Sequence, residues 1–446
     1  MYGDFEERKI RPIPIRPVFF PFFLFCAAFI LASCATPPFH ADEARIIPDD
    51  FFGIVPSTAN LVPEDFPFLD ELNAVWLRRT CRWSSLESSP GNWDFSYWDA
   101  YVDACEHAGK KLLLILAYDT PWIYEEKDAP RRISSRELPQ YLNYVETVVR
   151  RYRGKIGAYE IWNEPNSAEW YGSPEEFITM TRAAIHTIRS IDPDVTILAG
   201  SFLRLPKGMI RKMVRAGVFD EADGLSFHPY ALGPSGAVRL CDSLLELLAG
   251  ENFSGEIWIT EMGYPTRGWY PTRVPEEKFP SHIVKTLTGL AVRNVRGLQW
   301  YELFDSGNPG DYKCSWDSED FFGLAYPNKT VKAGYHAFAL CGKNLAGKEY
   351  RPELPLRVNL PGRTVSLCFT GEGNTLILWN ERGASFPARI ILPGTDQRLY
   401  DIRTGKYIAL GEETEITVAK TPLVFTWNGN SPSEPAALAP ELIKLK

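Results

Sequence analysis

The sequence lacks the marks of several large protein classes. Basic charge is not in excess: 48 Lys plus Arg stand against 56 Asp plus Glu, a net of −8, so a polyanion such as nucleic acid finds no basic surface. The six histidines are scattered and H-E-x-x-H is absent, so neither a metal nor any other cofactor is expected. Eight cysteines include no C-x-x-C pair, which removes zinc ribbons and thioredoxin-type sites and leaves disulfide pairing open. G-x-S-x-G, G-x-G-x-x-G and a P-loop are missing, which argues against a serine hydrolase and a dinucleotide fold. No repeat with a period of about 20–50 residues is visible, so a solenoid or propeller is not indicated.

What is present suits a large globular chain. Its 446 residues are 45% hydrophobic and 23% charged, enough for one large domain with a smaller one. Thirteen Trp and twenty Tyr are more than packing asks for, and rings with apolar faces and polar tips suit sugars.

The N-terminus reads as targeting sequence. Arg8, Lys9, Arg11 and Arg16 precede an apolar stretch from Val18 to Ala32, interrupted by Pro21 and shorter than the roughly 20 residues of a spanning helix. It ends in Leu31-Ala32-Ser33-Cys34, which resembles the lipobox of bacterial lipoproteins. That resemblance implies a signal over 1–34, acylation of Cys34, a tether over 35–48, and a body exported to the bacterial cell envelope and held at a membrane by lipid.

From Phe51 onward short apolar runs alternate with amphipathic segments, the pattern of a parallel β/α architecture. Candidate strands are 52–55, 74–78, 111–117, 158–162, 195–199, 224–227, 256–260 and 297–301. Helix starts between them are marked, as at Ser173-Pro174-Glu175-Glu176, where a cap, an N-terminal Pro and early acids coincide. Eight such units over 49–347 predict a (β/α)8 TIM barrel. After it, short alternating runs with turn signals predict a small β-sandwich over 348–430, followed by a loose tail, 431–446.

In such a barrel chemistry sits on the loops after the strands. Two acids leave apolar strands there: Glu164, in Trp162-Asn163-Glu164-Pro165-Asn166, and Glu261, in Trp258-Ile259-Thr260-Glu261-Met262-Gly263. Two carboxyls across one mouth suit glycoside hydrolysis, one protonating the departing oxygen and the other meeting the anomeric carbon.

These two motifs resemble the acid/base and nucleophile strands of the clan A glycoside hydrolases. Trp76-Leu77-Arg78, with Trp83-Ser84-Ser85-Leu86-Glu87 after it, is similar to the second-strand region of the family thirty-nine and family five branches. Phe227-His228-Pro229-Tyr230 resembles their sixth-strand motif and Trp300-Tyr301-Glu302 their eighth. The resemblance covers about residues 50 to 345 in the right order. It implies a retaining double displacement with Glu164 as acid/base and Glu261 as nucleophile. Arg78 would hold Glu261 ionised, Tyr230 or His228 would hydrogen-bond it, and Asn163 would bind a sugar hydroxyl.

Other assignments are open in the sequence. Arg78 and Arg79 are adjacent, so strand alternation sends only one inward, and the motif favours Arg78. Glu160 is expected to be structural. Trp300 and Tyr301 also point opposite ways and only one can floor the sugar site; Tyr118, Trp122, Trp170 and Trp269 are candidate sugar-stacking rings. The substrate is expected to be a carbohydrate, of unspecified linkage. A polysaccharide-binding lipoprotein with a weak site and a transglycosylase are the alternatives, and the oligomeric state is open.

Overall fold

The computed structural model describes residues 39, 41–56, 63–125, 131–268, 273–306, 317–352, 363–382, 384–390, 392, 394–411, 414–429 and 443–444. All of them fall in one compact unit, Pro38–Lys446. Cys34, the signal region and Trp269 lie outside the described residues.

Eight parallel strands close into a barrel in sequential order. They are β1 Phe52–Val55, β2 Trp76–Cys81, β3 Lys111–Leu116, β4 Ala158–Ile161, β5 Thr196–Leu203, β6 Gly224–His228, β7 Glu256–Met262 and β8 Gly297–Tyr301. The runs read as strands are almost uninterruptedly apolar because each strand is buried on both faces, by the barrel interior and by the helices outside. The expected barrel is therefore the observed one. Its differences from the sequence reading are at the ends: β2 runs on to Cys81, and β5 continues four residues past Ala199 with a register shift between Ala199 and Phe202. The helix Pro174–Ile191 begins as its sequence suggests, with Ser173 and Glu176 forming a reciprocal capping box, which satisfies two otherwise orphaned backbone donors.

The C-terminal region forms two antiparallel sheets. The larger has seven strands, in the order Arg45–Ile46, Glu349–Tyr350, Arg363–Thr370, Asn374–Arg382, Leu423–Asn428, Thr395–Tyr400, Tyr407–Ala409; the smaller joins Thr414–Val418, Phe386–Ile390 and Ile443–Lys444. Strand alternation divides the larger sheet cleanly. Leu376, Leu378, Phe425 and Trp427 face the smaller sheet, while Leu367, Phe369, Ile377 and Trp379 join the main core with the barrel. Trp379 is the hinge pin of that contact. Its ring meets Phe39 edge-on at 5.1 Å, and Lys285 of the barrel helix Phe279–Ala291 lies 5.4 Å from it and pairs with Glu381 at 2.9 Å.

Two expectations fail here. The segment read as a tether is folded in its described part: Arg45–Ile46 pairs with Glu349–Tyr350, and Phe39 and Ile47 are buried. A two-residue edge strand carries no periodicity, so its partner across the chain was invisible. The tail read as loose contributes Ile443–Lys444, paired with Arg389–Ile390.

Candidate active site

The mouth of the barrel is organised around one arginine. Arg78, on the inner face of β2, is buried, and its guanidinium uses every edge. Nε donates to Glu160 Oε2 at 2.7 Å, Nη1 to Glu261 Oε2 at 2.6 Å, and Nη2 to Asn163 Oδ1 at 2.8 Å and Ser201 Oγ at 3.1 Å. Burial works against its charge, but Glu160 and Glu261 more than offset this and hold the guanidinium firmly protonated, as expected of a planar donor fork matched to carboxylates. Arg79 points outward onto Tyr97 and Tyr101, so the alternation argument selects Arg78. Glu160 is fully buried against it, a structural counter-ion.

Glu261 leaves the end of β7. Its Oε2 takes the Arg78 bond and its Oε1 accepts from Tyr230 Oη at 2.7 Å. Gly263, two residues on, lets this strand end close against β8, since a Cβ there would lie 1.8 Å from the Tyr301 carbonyl oxygen. Both carboxylate oxygens of Glu261 thus have a donor, and its side chain keeps 16% exposure.

Glu164 follows β4 on a backbone that turns left-handed twice, at Trp162 (φ 66°) and Glu164 (φ 47°). Such conformations are uncommon for non-glycine residues and persist where surroundings over-determine them. Here the Glu164 N–H donates to the Ser201 carbonyl at 3.0 Å, and the Glu164 carbonyl accepts from Ser167 N and Oγ at 3.0 and 2.8 Å. The carboxyl meets His228 Nδ1 at 2.8 Å. Burial pushes Glu164 up to about 7, against the pull of Arg78, with Glu169 and Glu160 adding to the rise.

His228 is fully buried, and burial pushes its imidazole down to about 4, so it is neutral near pH 7. Its Nε2 lies 3.4 Å from Arg78 Nη2, which can only donate; this assigns the lone pair to Nε2 and the proton to Nδ1. His228 therefore donates to Glu164, not to the nucleophile, and Tyr230 alone of the two takes Glu261.

Glu164, His228 and Glu261 each present an atom such that all three lie within 4.8 Å of one another. The two carboxylates thus face each other across one small space. The same three atoms are a set that a metal ion could use, but both nitrogens of His228 are already engaged, Nε2 also with Ser201 and Thr260 at 3.2 Å.

Among the remaining expected residues, Tyr118 is brought in: its hydroxyl accepts from Asn163 Nδ2 at 3.1 Å. Tyr301 sits against Phe322, which also packs on Tyr230, and burial together with Glu302 and Glu261 raises its phenol. Trp300 is a correction. It is fully buried on the outer side of the barrel against Tyr264, Phe279 and Phe338, because alternation gives the inner face to Tyr301. Trp122 is half-buried, its Nε1–H donating to the Glu87 carbonyl and its ring edge-on to Trp83. Trp170 packs on Trp162. Ser201 and Thr260 were missed, since a lone hydroxyl in a strand carries no signal. So was Glu319, held at about 7 by burial and then by Glu261.

Residues 53–190 match the model of Glycosyl hydrolase family 10. That span holds Arg78, Asn163 and Glu164. The chain shares the eight-stranded barrel fold of solved glycoside hydrolases. A family 39 glycoside hydrolase from Bacteroides cellulosilyticus WH2 superposes with a TM-score of 0.69 at 20% identity, over 85% of this chain and 81% of that one. A family 39 β-xylosidase from Caulobacter crescentus gives 0.61 at 13% identity, over 87% and 98%. These likenesses carry the fold, and the clan A resemblance holds at that level. A relative in sequence is endo-1,4-beta-xylanase A of Caldicellulosiruptor sp. (strain Rt8B.4), 27% identical over 121 residues, 25% of this chain; the matched stretch spans 18% of that protein's length.

Proposed function

We propose that this protein is a retaining glycoside hydrolase acting on an oligo- or polysaccharide by double displacement. The observation that carries the reading is the approach of the Glu164 and Glu261 carboxylates, with oxygens within 4.8 Å of one another. Retaining enzymes hold the pair about 5–5.5 Å apart, whereas inverting enzymes leave about 6.5–9.5 Å for a water. The environments divide the labour. Glu164, raised to about 7, is still about half protonated in neutral solution, and more so below it, and can give that proton to the glycosidic oxygen. Glu261, paired with Arg78 and hydrogen-bonded by Tyr230, is the carboxylate that attacks the anomeric carbon.

In the first step the C–O bond to the leaving group breaks as Glu261 bonds to C1 and the Glu164 proton passes to the departing oxygen. Glu164, now a carboxylate steadied by His228 Nδ1–H, then takes a proton from water as its oxygen attacks C1. The ester to Glu261 is released with the configuration restored. Asn163, held by Arg78 and Tyr118, is placed beside both acids to bind a sugar hydroxyl.

A β-xyloside is the first substrate to test, given the xylanase and xylosidase among the similar proteins. The decisive experiment is a panel of aryl glycosides and polysaccharides, with Glu164→Gln and Glu261→Gln as controls. Turnover with retained anomeric configuration, lost in both variants, is expected; undiminished turnover by either variant would remove the mechanism, and binding without any release of reducing ends would favour a binding lipoprotein. Adding an acceptor sugar distinguishes hydrolysis from transglycosylation.

We also propose that the protein is exported and anchored to the cell envelope through Cys34. The basic residues, apolar run and Leu31-Ala32-Ser33-Cys34 sequence support this. Incorporation of labelled palmitate, abolished by Cys34→Ser, is the expected result.

A further inference from the structure

Among the described residues Arg82, at the end of β2, has no acid within ion-pair distance. It follows Cys81, the last residue of β2, in an extended conformation, φ −67° and ψ 122°, so the alternation of β2 carried one residue past its end puts Arg82 on the side of Arg78 and Thr80. At about 3.3 Å per residue, Arg82 lies about 13 Å along the strand above Arg78, over the mouth. Its guanidinium carbon is 5.1 Å from the centre of the Tyr118 ring, and Arg131 approaches the same ring at 5.1 Å. The Tyr118 hydroxyl is bonded to Asn163, so one ring separates Arg82 from a residue adjoining Glu164.

The neighbouring charges are committed elsewhere. Arg131 pairs with Glu169, Arg132 with Glu176 and Arg136 with Glu125. Glu87 accepts from Trp83 Nε1 and the Gly91 N–H, and Asp119 from the Tyr124 hydroxyl. Among the described residues of these loops Arg82 is the arginine without a carboxylate, and it is exposed. An aromatic face beneath a guanidinium orders its planar fork, so a ligand loses less entropy in engaging it. Carboxylates and sulfates match that fork with two parallel hydrogen bonds.

We propose that Arg82, seated on Tyr118, forms a subsite for an anionic sugar, a uronic-acid carboxylate or a sulfate ester, next to the cleaved bond. The proposal rests on the glycosidase reading for what the site is for, but it is tested by binding alone. Glu261→Gln protein is titrated calorimetrically with xylotetraose, with the same backbone bearing glucuronic acid, and with a sulfated form. At low salt an acidic probe should bind about tenfold more tightly than the neutral one, and the ratio should shrink as salt screens the exposed charge. Arg82→Gln in the same background should bring the ratio close to one, and Arg82→Lys should leave it intermediate, since a point charge replaces the fork. Which acidic probe gains identifies the group.

A ratio near one before mutation, a ratio that survives Arg82→Gln, or no binding of any probe would overturn the proposal. An acidic preference without hydrolysis of any substrate by the unmutated protein would leave the subsite standing and bring down the glycosidase reading.

Discussion

Arg78 Nη1 lies 2.6 Å from Glu261 Oε2, while Nε of the same guanidinium is spent on Glu160 at 2.7 Å. The group that holds the proposed nucleophile is thus itself held by an acid fully inside the barrel. Catalysis and stability meet in one side chain.

Arg78→Lys should lower kcat/KM by about two orders of magnitude or more, because an ammonium cannot reach Glu160, Glu261 and Asn163 together. Arg78→Ala should in addition cost about 3–5 kcal/mol of stability by leaving Glu160 charged and unpaired. Steady-state kinetics and urea unfolding read the two effects separately.

Tyr230→Phe removes the second donor to Glu261 without changing the shape of the ring. A hydrogen bond to a charged group contributes about 1.5–3 kcal/mol, so kcat/KM should fall by about 10–150-fold. An unchanged rate would remove Tyr230 from the mechanism.

The rate should depend on pH through Glu164. Its carboxyl is raised to about 7 in the folded protein and must be protonated to act as the acid. Activity is therefore full well below pH 7 and is lost as pH rises through about 7, falling about tenfold per unit beyond. Replacing His228 by Ala removes a donor that favours the Glu164 carboxylate, so the alkaline limb should move to higher pH while the rate falls. A limb that stays in place would show that His228 does not act on Glu164.

Trp379→Ala tests the C-terminal sheets as a prop for the barrel. The ring is fully buried between Phe39 and Lys285, and truncation of such a side chain costs about 3–5 kcal/mol. Expected is a lowered melting temperature with kcat unaltered at a temperature where the protein stays folded.

Much of the barrel could be read directly because its strands are short apolar runs with polar ends, and both acids stand where such runs stop. The pairing of Arg45–Ile46 with Glu349–Tyr350 could not, since its two partners lie about 300 residues apart and neither carries a period. Ser201 was hidden for a related reason. Its strand continues past Ala199 through a register shift, and its hydroxyl gains meaning only from Arg78, Asn163 and His228 around it.

The choice between Tyr301 and Trp300 shows where the boundary falls. The order of the strands, the class of fold and the identity of the two acids follow from the sequence alone, because local hydrophobic periodicity and strand ends are properties of neighbouring residues. The sharing of Arg78, the assignment of His228 to Glu164 and the inward turn of Tyr301 belong to the closed barrel. They depend on distances between segments that only closure sets, and hydrogen bonds and burial shift a carboxyl only once those distances exist.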